Sequence, residues 1–137
     1  MEEVYYQDEY LTLYYNRKSQ TARAVWNGFL SGEIMHNAVQ HCIQLLEKEK
    51  PLNWLADNRK MKAIRKKDQE WMQAYMIPKI VASPLRKMAT LISEDIFNQM
   101  AVDALFVKAN NIIRFDHRYF KKEEEALAWL KETKQLA

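Results

Sequence analysis

The chain has 137 residues, of which 48% are apolar and 28% charged, a balance that predicts one globular domain with its own core. Two glycines and three prolines are too few for collagen-like, low-complexity or turn-dense all-β chains. A net charge of +3 does not by itself indicate nucleic-acid binding, and the absence of a long apolar run predicts no membrane insertion.

The first part of the chain indicates antiparallel strands. Aromatic and β-branched residues partly alternate with polar ones in residues 4–6, 10–15 and 22–26, and polar turns separate these segments. After Gly28 the apolar residues follow the spacing of a helix instead. We therefore expect an antiparallel meander that leads into helical structure.

Helices and strands then alternate. Ser31 is expected to cap a helix that ends before Pro51, and the apolar residues 52–56 to form a buried strand. Asp68 is expected to cap the next helix, which Pro78 interrupts or kinks.

The second half repeats this alternation. We predict a strand at residues 88–92, a helix opened by Ser93, Glu94 and Asp95, a last strand at 112–115 and a last helix at 123–134. The prediction is one α/β domain over residues 1–137, with antiparallel strands at the N-terminus leading into a mixed sheet with helical crossovers. The helices are expected to cover mainly one face or both edges of that sheet.

Four short motifs suggest a family. They are Trp26-Asn27-Gly28-Phe29, Trp54-Leu55-Ala56-Asp57-Asn58-Arg59, Ser93-Glu94-Asp95-Ile96-Phe97 and Ala126-Leu127-Ala128-Trp129-Leu130. Their order, over residues 10–130, resembles the SpoIIAA-like, STAS-type proteins, in particular small stand-alone bacterial members. The resemblance implies a four- or five-stranded mixed sheet packed on helices. It also implies a regulatory or protein-interaction module without catalysis or cofactor, and the lone Cys42 suits the reducing cytoplasm.

A polar corner follows the strand at residues 52–56. Ligands tend to bind beyond the carboxyl ends of parallel strands, which makes Asp57, Asn58 and Arg59 candidates for contact with a ligand or partner. The alternative is that Asp57 and Asn58 only cap local turns. STAS-type antagonists carry a phosphorylatable Ser or Thr near the start of the following helix, but residues 57–68 contain neither, so this switch is not carried over.

A second candidate site is apolar. Met72 and Met76 lie one helical turn apart beside Trp71 and Tyr75, and such a face can line an adaptable pocket. This predicts, as the alternative function, a carrier or sensor of a lipophilic small molecule. The competing interpretation is that these side chains belong to the ordinary core.

Catalytic and metal sites are not expected. His36 and His41 are five residues apart on a helix and cannot share a metal ion, and Cys42 lies within an apolar stripe. His117 next to Asp116 could form an acid–base pair, but a turn is the simpler explanation and no nucleophile accompanies it.

A basic run invites comparison with polyanion-binding loops. Six cations fall within nine residues, at Arg59, Lys60, Lys62, Arg65, Lys66 and Lys67. No aromatic side chain interleaves them, as stacking on single strands requires, so we expect non-specific binding at most and no specific nucleic-acid partner.

The helix at residues 94–107 has two apolar faces. One stripe is expected to seat the helix on the sheet and consists of Ile96, Phe97, Met100, Ala101 and Ala104, whereas Val102 and Phe106 lie on a second face. Either the chain's own residues cover this second face or it forms a homodimer across a two-fold axis. The protein partner itself cannot be named from the sequence.

Overall fold

The computed structural model describes residues 1–132. The strands are β1 (Glu2–Gln7), β2 (Leu11–Asn16), β3 (Thr21–Gly28), β4 (Asn53–Met61), β5 (Lys87–Leu91) and β6 (Asp116–Phe120). The helices are α1 (Glu33–Glu49), α2 (Lys66–Trp71), α3 (Ile77–Ala82), α4 (Ile96–Lys108) and α5 (Glu123–Lys131), and a π-helical turn (Met72–Met76) joins α2 to α3. In residues 1–132, no helix is both long and apolar enough to cross a membrane.

Within the described residues, the strands form one six-stranded sheet in which β1 to β6 lie side by side in chain order. The contacts β1–β2 and β2–β3 are antiparallel, and those from β3 to β6 are parallel. Parallel neighbours need a crossover, which α1, the α2–α3 segment and α4 supply in turn. The predicted α/β domain with a mixed sheet is confirmed. The sheet has more than the implied four or five strands, because β1 precedes residue 10, where the resemblance begins.

Two hydrophobic clusters lie on opposite faces of the sheet. On the first face, side chains such as Leu13, Ala24, Trp54 and Met88 pack with α1, the α2–α3 segment and α4. On the second face, Leu55, Ala89 and Leu91 pack against Ala126, Trp129 and Leu130 of α5. The helices thus cover mainly one face, and of the described helices α5 alone covers the other.

β4 is longer than predicted. Its polar residues 57–60 suggested that the strand ends at Ala56, but it continues to Met61 and stays paired with β3 across an irregularity between Val25 and Asn27. The strand tolerates these residues because Asp57 and Arg59 pair with each other on one face while Asn58 turns to the other. The polar corner is therefore part of a strand and not a loop.

The last strand was also misplaced. Residues 112–115 lie in the connection between α4 and β6, where the amides of Ile112 and Ile113 donate to the carbonyl oxygen of Ala109. β6 begins at Asp116 and alternates, with His117 and Tyr119 towards α4 and Phe120 towards Trp129 of α5. The sequence of β6 contains no continuous apolar segment, although its residues pack alternately against helices on its two faces. The predicted last helix ends at Lys131, and Lys134 lies outside the described residues.

Two of the predicted helix caps differ from those observed. The N-cap of α1 is Gly32, not Ser31, and its φ of 55° favours glycine. Asp68 lies inside the first turn of α2 and accepts a 3.0 Å hydrogen bond from the Gly32 amide instead of capping α2. Asp95 does cap α4 as predicted, since its carboxylate accepts from the Phe97 amide at 2.9 Å.

α4 is seated on the sheet by a different face from the predicted one. Ile96, Phe97 and Met100 are 68%, 66% and 61% exposed, whereas Val102 and Leu105 are buried together with Ala101 of the predicted stripe. The two faces have similar hydrophobicity, so side-chain composition did not distinguish them. Asn98 made the difference: it is fully buried and donates to the Lys62 carbonyl oxygen at 2.9 Å, which turns its side of the helix inward.

Candidate functional site

An apolar cavity of about 80 Å³ lies between the sheet and the helices of the first face. Its floor is formed by β3, β4 and β5, and its walls by α1, the π-helical turn, α3 and α4. Aromatic, aliphatic and sulfur-containing side chains line most of it, including Trp26, Trp54, Met61, Met72, Met88 and Leu105. Most of these residues are buried, so the cavity belongs to the interior of the domain.

Asn58 places an amide in this apolar lining. Successive side chains of a strand point to opposite faces, so Trp54, Ala56 and Asn58 face the cavity while Leu55 and Asp57 face α5. Asn58 is 5% exposed. Among the described residues, none hydrogen-bonds to its side chain.

Thr90 adds a hydroxyl to the same floor. It is 1% exposed and lies on β5 opposite Ala56 of β4. Ala56 precedes Asn58 by two residues on the same strand. A 2.8 Å hydrogen bond joins its Oγ1 to Nε2 of His117 on β6. Burial lowers the pKa of His117 to about 4, so the imidazole is neutral at neutral pH. Thr90 therefore has a neutral partner on one side and the cavity on the other.

Of the four residues predicted to line an apolar pocket, two border the cavity and two lie outside it. Met72 and Met76 line the cavity, as the lipophilic-site interpretation requires. Trp71 and Tyr75 do not line it: Trp71 stacks between His36 and Tyr75, with ring centroids 3.9 and 4.9 Å apart. The π-helical turn is responsible for this division.

The π-helical turn has a simple cause. Pro78 has no amide hydrogen to donate to the preceding turn, and the Ile77 amide donates to Met72, five residues back, instead of four. The wider turn aims Met72 and Met76 at the sheet. Pro78 lies in the first turn of α3, and the helical run from Lys66 to Ala82 continues past it with a π-helical turn instead of an interruption.

Cys42 also lines the cavity. Its thiol is buried, and burial without a nearby cation raises its pKa well above the ordinary value. A thiol in this state is a small apolar group and not a nucleophile.

Asp57 and Arg59 belong to the opposite face of the sheet. The Arg59 guanidinium donates to both carboxylate oxygens of Asp57, at 2.9 and 2.7 Å, and lies 3.6 Å from Glu123 of α5. Arg23 of β3 joins this network through Glu2 and Glu123. The three predicted corner residues therefore do not form one site, because only Asn58 reaches the cavity.

The basic run is partly neutralised. Arg59 pairs with Asp57, Lys60 with Glu94, and Arg65 with Asp68. In the described part of the chain, Lys62, Lys66 and Lys67 have no such pair. This leaves three cations, too few for a strong polyanion surface.

The two residues predicted for self-association face inward. Val102 is 6% exposed and Phe106 is partly buried, and both line the cavity. The Phe106 ring stacks on His117 with centroids 4.0 Å apart. The chain's own residues therefore cover this face, which was the alternative to a homodimer.

No group of three or more His, Cys, Asp or Glu side chains that could hold a metal ion occurs in residues 1–132. His41 is engaged elsewhere, since its ring stacks on Tyr6 at 3.6 Å and its Nδ1 lies 2.8 Å from the Asn37 carbonyl oxygen. His117 and Asp116 are neighbours on an edge strand, so their side chains point to opposite faces.

Comparison with known proteins decides the family. The SpoIIAA-like family model matches residues 22–131. The chain belongs to the SpoIIAA-like family. No curated protein sequence matches it. A crystal structure of an uncharacterised protein with a SpoIIAA-like fold from Shewanella loihica superposes with a TM-score of 0.55 at 15% identity, covering 95% of this chain and 92% of that one.

The relatives establish the fold of this SpoIIAA-like protein, and the site comes from its own residues. Sequence reasoning found Asn58, Met72 and Met76, left open whether Val102 faces inward, and missed Thr90. A usable signal existed for Thr90, because it is the one hydroxyl in the otherwise apolar segment 88–92.

Proposed function

We propose that this protein is a non-catalytic binding module that holds a small lipophilic molecule in the cavity beneath α1, the π-helical turn and α4. The observation that carries this proposal is the cavity of about 80 Å³ with its largely apolar lining. This cavity favours the lipophilic-ligand hypothesis over a role in protein interaction alone. The family fold and the unreactive Cys42 agree with a regulatory role without catalysis.

The lining favours an adaptable ligand site over a simple packing defect. Four methionines, Met61, Met72, Met76 and Met88, border the cavity, and their unbranched side chains can rearrange around a guest. An engineered apolar cavity of about 150 Å³ in another protein stays dry and binds benzene. The volume here is about half as large, so a single ring already requires the methionines of the π-helical turn to move.

The first experiment looks for a resident ligand and then for binding of a known one. Native mass spectrometry of freshly purified protein is expected to show a co-purifying apolar molecule. Toluene is then titrated into protein stripped of ligand, with Trp26 and Trp54 as fluorescent reporters because both line the cavity. A clean apo mass together with no response to toluene contradicts the proposal.

A pair of variants provides the control. Ala56→Leu fills the cavity from its floor, whereas Ala74→Leu makes the same change at an exposed position. We expect Ala56→Leu to lose toluene binding at least tenfold and Ala74→Leu to bind like the wild type. Equal binding by both variants would place the guest elsewhere.

A protein-interaction module is the second candidate, favoured by one observation. Ile96, Phe97 and Met100 expose apolar surface together at the start of α4. We place either module in the reducing cytoplasm, in keeping with the lone Cys42. The test co-expresses the chain with products of neighbouring genes. A complex that Phe97→Ser abolishes without lowering the melting temperature supports this candidate, and no complex with any of them contradicts it.

A further inference from the structure

Asn58 is a buried polar group without a protein partner. Its side chain is 5% exposed, borders the cavity and, within residues 1–132, receives no hydrogen bond from another residue. Burying an amide destabilises a fold unless the amide is hydrogen-bonded, and the Asn58 amide borders the cavity, from which such a bond can come. A ligand that hydrogen-bonds to Asn58 from inside the cavity accounts for its presence.

Thr90 offers a second polar contact on the same floor. Its hydroxyl uses one hydrogen bond on His117 Nε2, and a hydroxyl can make more than one. Thr90 lies opposite Ala56 on the neighbouring strand, and Asn58 follows Ala56 by two residues on the same face. The polar groups of the cavity therefore lie together on its floor, while Met72 and Met76 border it from the π-helical turn.

Charge is missing from this site. Of the described residues that line the cavity, none is an Asp, Glu, Lys or Arg. A buried carboxylate or ammonium needs a partner of opposite charge, and without one its desolvation prevents binding. An amide, by contrast, offers both a donor and an acceptor to an uncharged group.

We propose that the ligand is an uncharged lipophilic molecule with one hydrogen-bonding group, such as a hydroxyl or a carboxamide, which the Asn58 amide binds and the Thr90 hydroxyl assists. This inference rests on the proposed function, because it names the chemical class that the same cavity takes. It excludes fatty acids and other carboxylates as ligands. The selecting residue is Asn58, because a guest without a polar group leaves its amide unpaired.

Two pairs of probes with matched size test this selection. Phenol and toluene have the same number of heavy atoms and differ by one hydroxyl, and benzamide and benzoate differ by charge. We expect phenol to bind at least fivefold more tightly than toluene, because one hydrogen bond to a buried group is worth about a factor of five to ten. Benzamide is expected to bind and benzoate to show no binding at neutral pH.

Asn58→Leu keeps the number and branching of the side-chain heavy atoms and removes their hydrogen bonds. We expect this variant to bind toluene at least as well as the wild type and to lose the preference for phenol. Asn111→Leu makes the same change at an exposed position and is expected to keep the wild-type preference. Preference for phenol that survives in Asn58→Leu overturns the inference.

Further readouts keep the test independent of the folding of that variant. In the wild type, phenol should shift the side-chain amide resonances of Asn58 in a ¹⁵N–¹H spectrum by more than toluene does, and Thr90→Val should weaken phenol binding about twofold to fivefold. If toluene binds but phenol binds no better, this inference is wrong while the proposed function stands. If no probe binds the wild type, the proposed function fails first.

Discussion

The Phe106 ring on α4 stacks on the imidazole of His117 on β6, with ring centroids 4.0 Å apart. Phe106 borders the interior cavity on one side and, together with His117, an open groove of about 480 Å³ on the other. The stack is therefore the partition between them. It removes water from His117, whose pKa falls to about 4 although Asp103 of α4 pulls it upward.

The buried imidazole predicts a pH dependence of stability. Between about 6.5, the ordinary pKa of His117, and about 4, its pKa in the fold, the unfolded chain binds a proton that the folded chain does not. The contribution of the neutral His117 to the free energy of unfolding should therefore be fully present above pH 6.5 and be lost as the pH is lowered towards 4. The expected loss in the free energy of unfolding is on the order of 2 kcal/mol, a value reduced because His117 is partly exposed to solvent. Urea unfolding at several pH values across this range measures it.

His117→Gln is the control for this dependence, because glutamine does not titrate and can still hydrogen-bond to Thr90. We expect the loss between pH 6.5 and 4 to shrink in this variant. Depressed carboxylates such as Asp68 act only below their ordinary pKa of 3.8, outside this window. Parallel curves for the two proteins contradict the assignment to His117.

Phe106→Glu is predicted to destabilise the monomer and not to break a dimer. The change buries a carboxylate beside His117 and removes the aromatic stack, so we expect the melting temperature to fall by roughly 10 °C. Phe106→Leu, which keeps an apolar side chain, should lose less. A dimeric wild type in sedimentation that becomes a folded monomer on Phe106→Glu restores the homodimer hypothesis.

Asp68 is predicted to hold the start of α1 to the start of α2. Its carboxylate is 2% exposed, accepts from Arg65 Nε at 2.7 Å and accepts from the Gly32 amide. Asp68→Asn should lower the free energy of unfolding by about 2–3 kcal/mol, since it leaves a buried group mismatched. Arg65→Gln should cost less, because its guanidinium is half exposed. Equal losses in the two variants would contradict this ranking.

A comparison within α4 tests which of its faces is seated. Leu105 is 3% exposed and Met100 is 61% exposed. Leu105→Ala should cost about 2–4 kcal/mol in chemical denaturation, whereas Met100→Ala should change stability by less than about 0.5 kcal/mol. The opposite order would return the helix to the orientation that its sequence suggested.

The basic run is predicted to bind DNA weakly and only at low salt. In the described part of the run, the cations outside ion pairs are Lys62, Lys66 and Lys67. A plot of the logarithm of the binding constant against the logarithm of the salt concentration should therefore have a slope of about −2.7 or less steep. Titration of labelled duplex at two salt concentrations measures this. A sequence preference that survives physiological salt contradicts the prediction.

The sequence allowed the element order and class of the fold to be predicted, because periodicity depends on burial of whole faces. The ends of the strands were less predictable where polar residues pair with or pack against other residues inside the structure. Asp57 and Arg59 neutralise each other, so β4 continues through residues that suggested a loop. β6 was missed because its polar residues His117 and Arg118 pack against aromatic rings of neighbouring elements.

The candidate site could be predicted only in part. Helical spacing brought Met72 and Met76 together correctly, but the π-helical turn, which depends on the missing amide hydrogen of Pro78, removed Trp71 and Tyr75 from the cavity. Asn58 was noticed for its position after an apolar segment. Its inward direction follows only once β4 is known to continue, since strand alternation then fixes its face.

Chain order and strand order coincide in this sheet, and this has a consequence for synthesis. Each strand, as it leaves the ribosome, finds its neighbour already made, beginning with the β1–β2 hairpin and ending with β6. The sheet can therefore grow in one direction without waiting for distant segments, which keeps loop-closure costs low. The cavity is completed only when α4 arrives, so a nascent chain acquires its binding site late, after most of its sheet has formed.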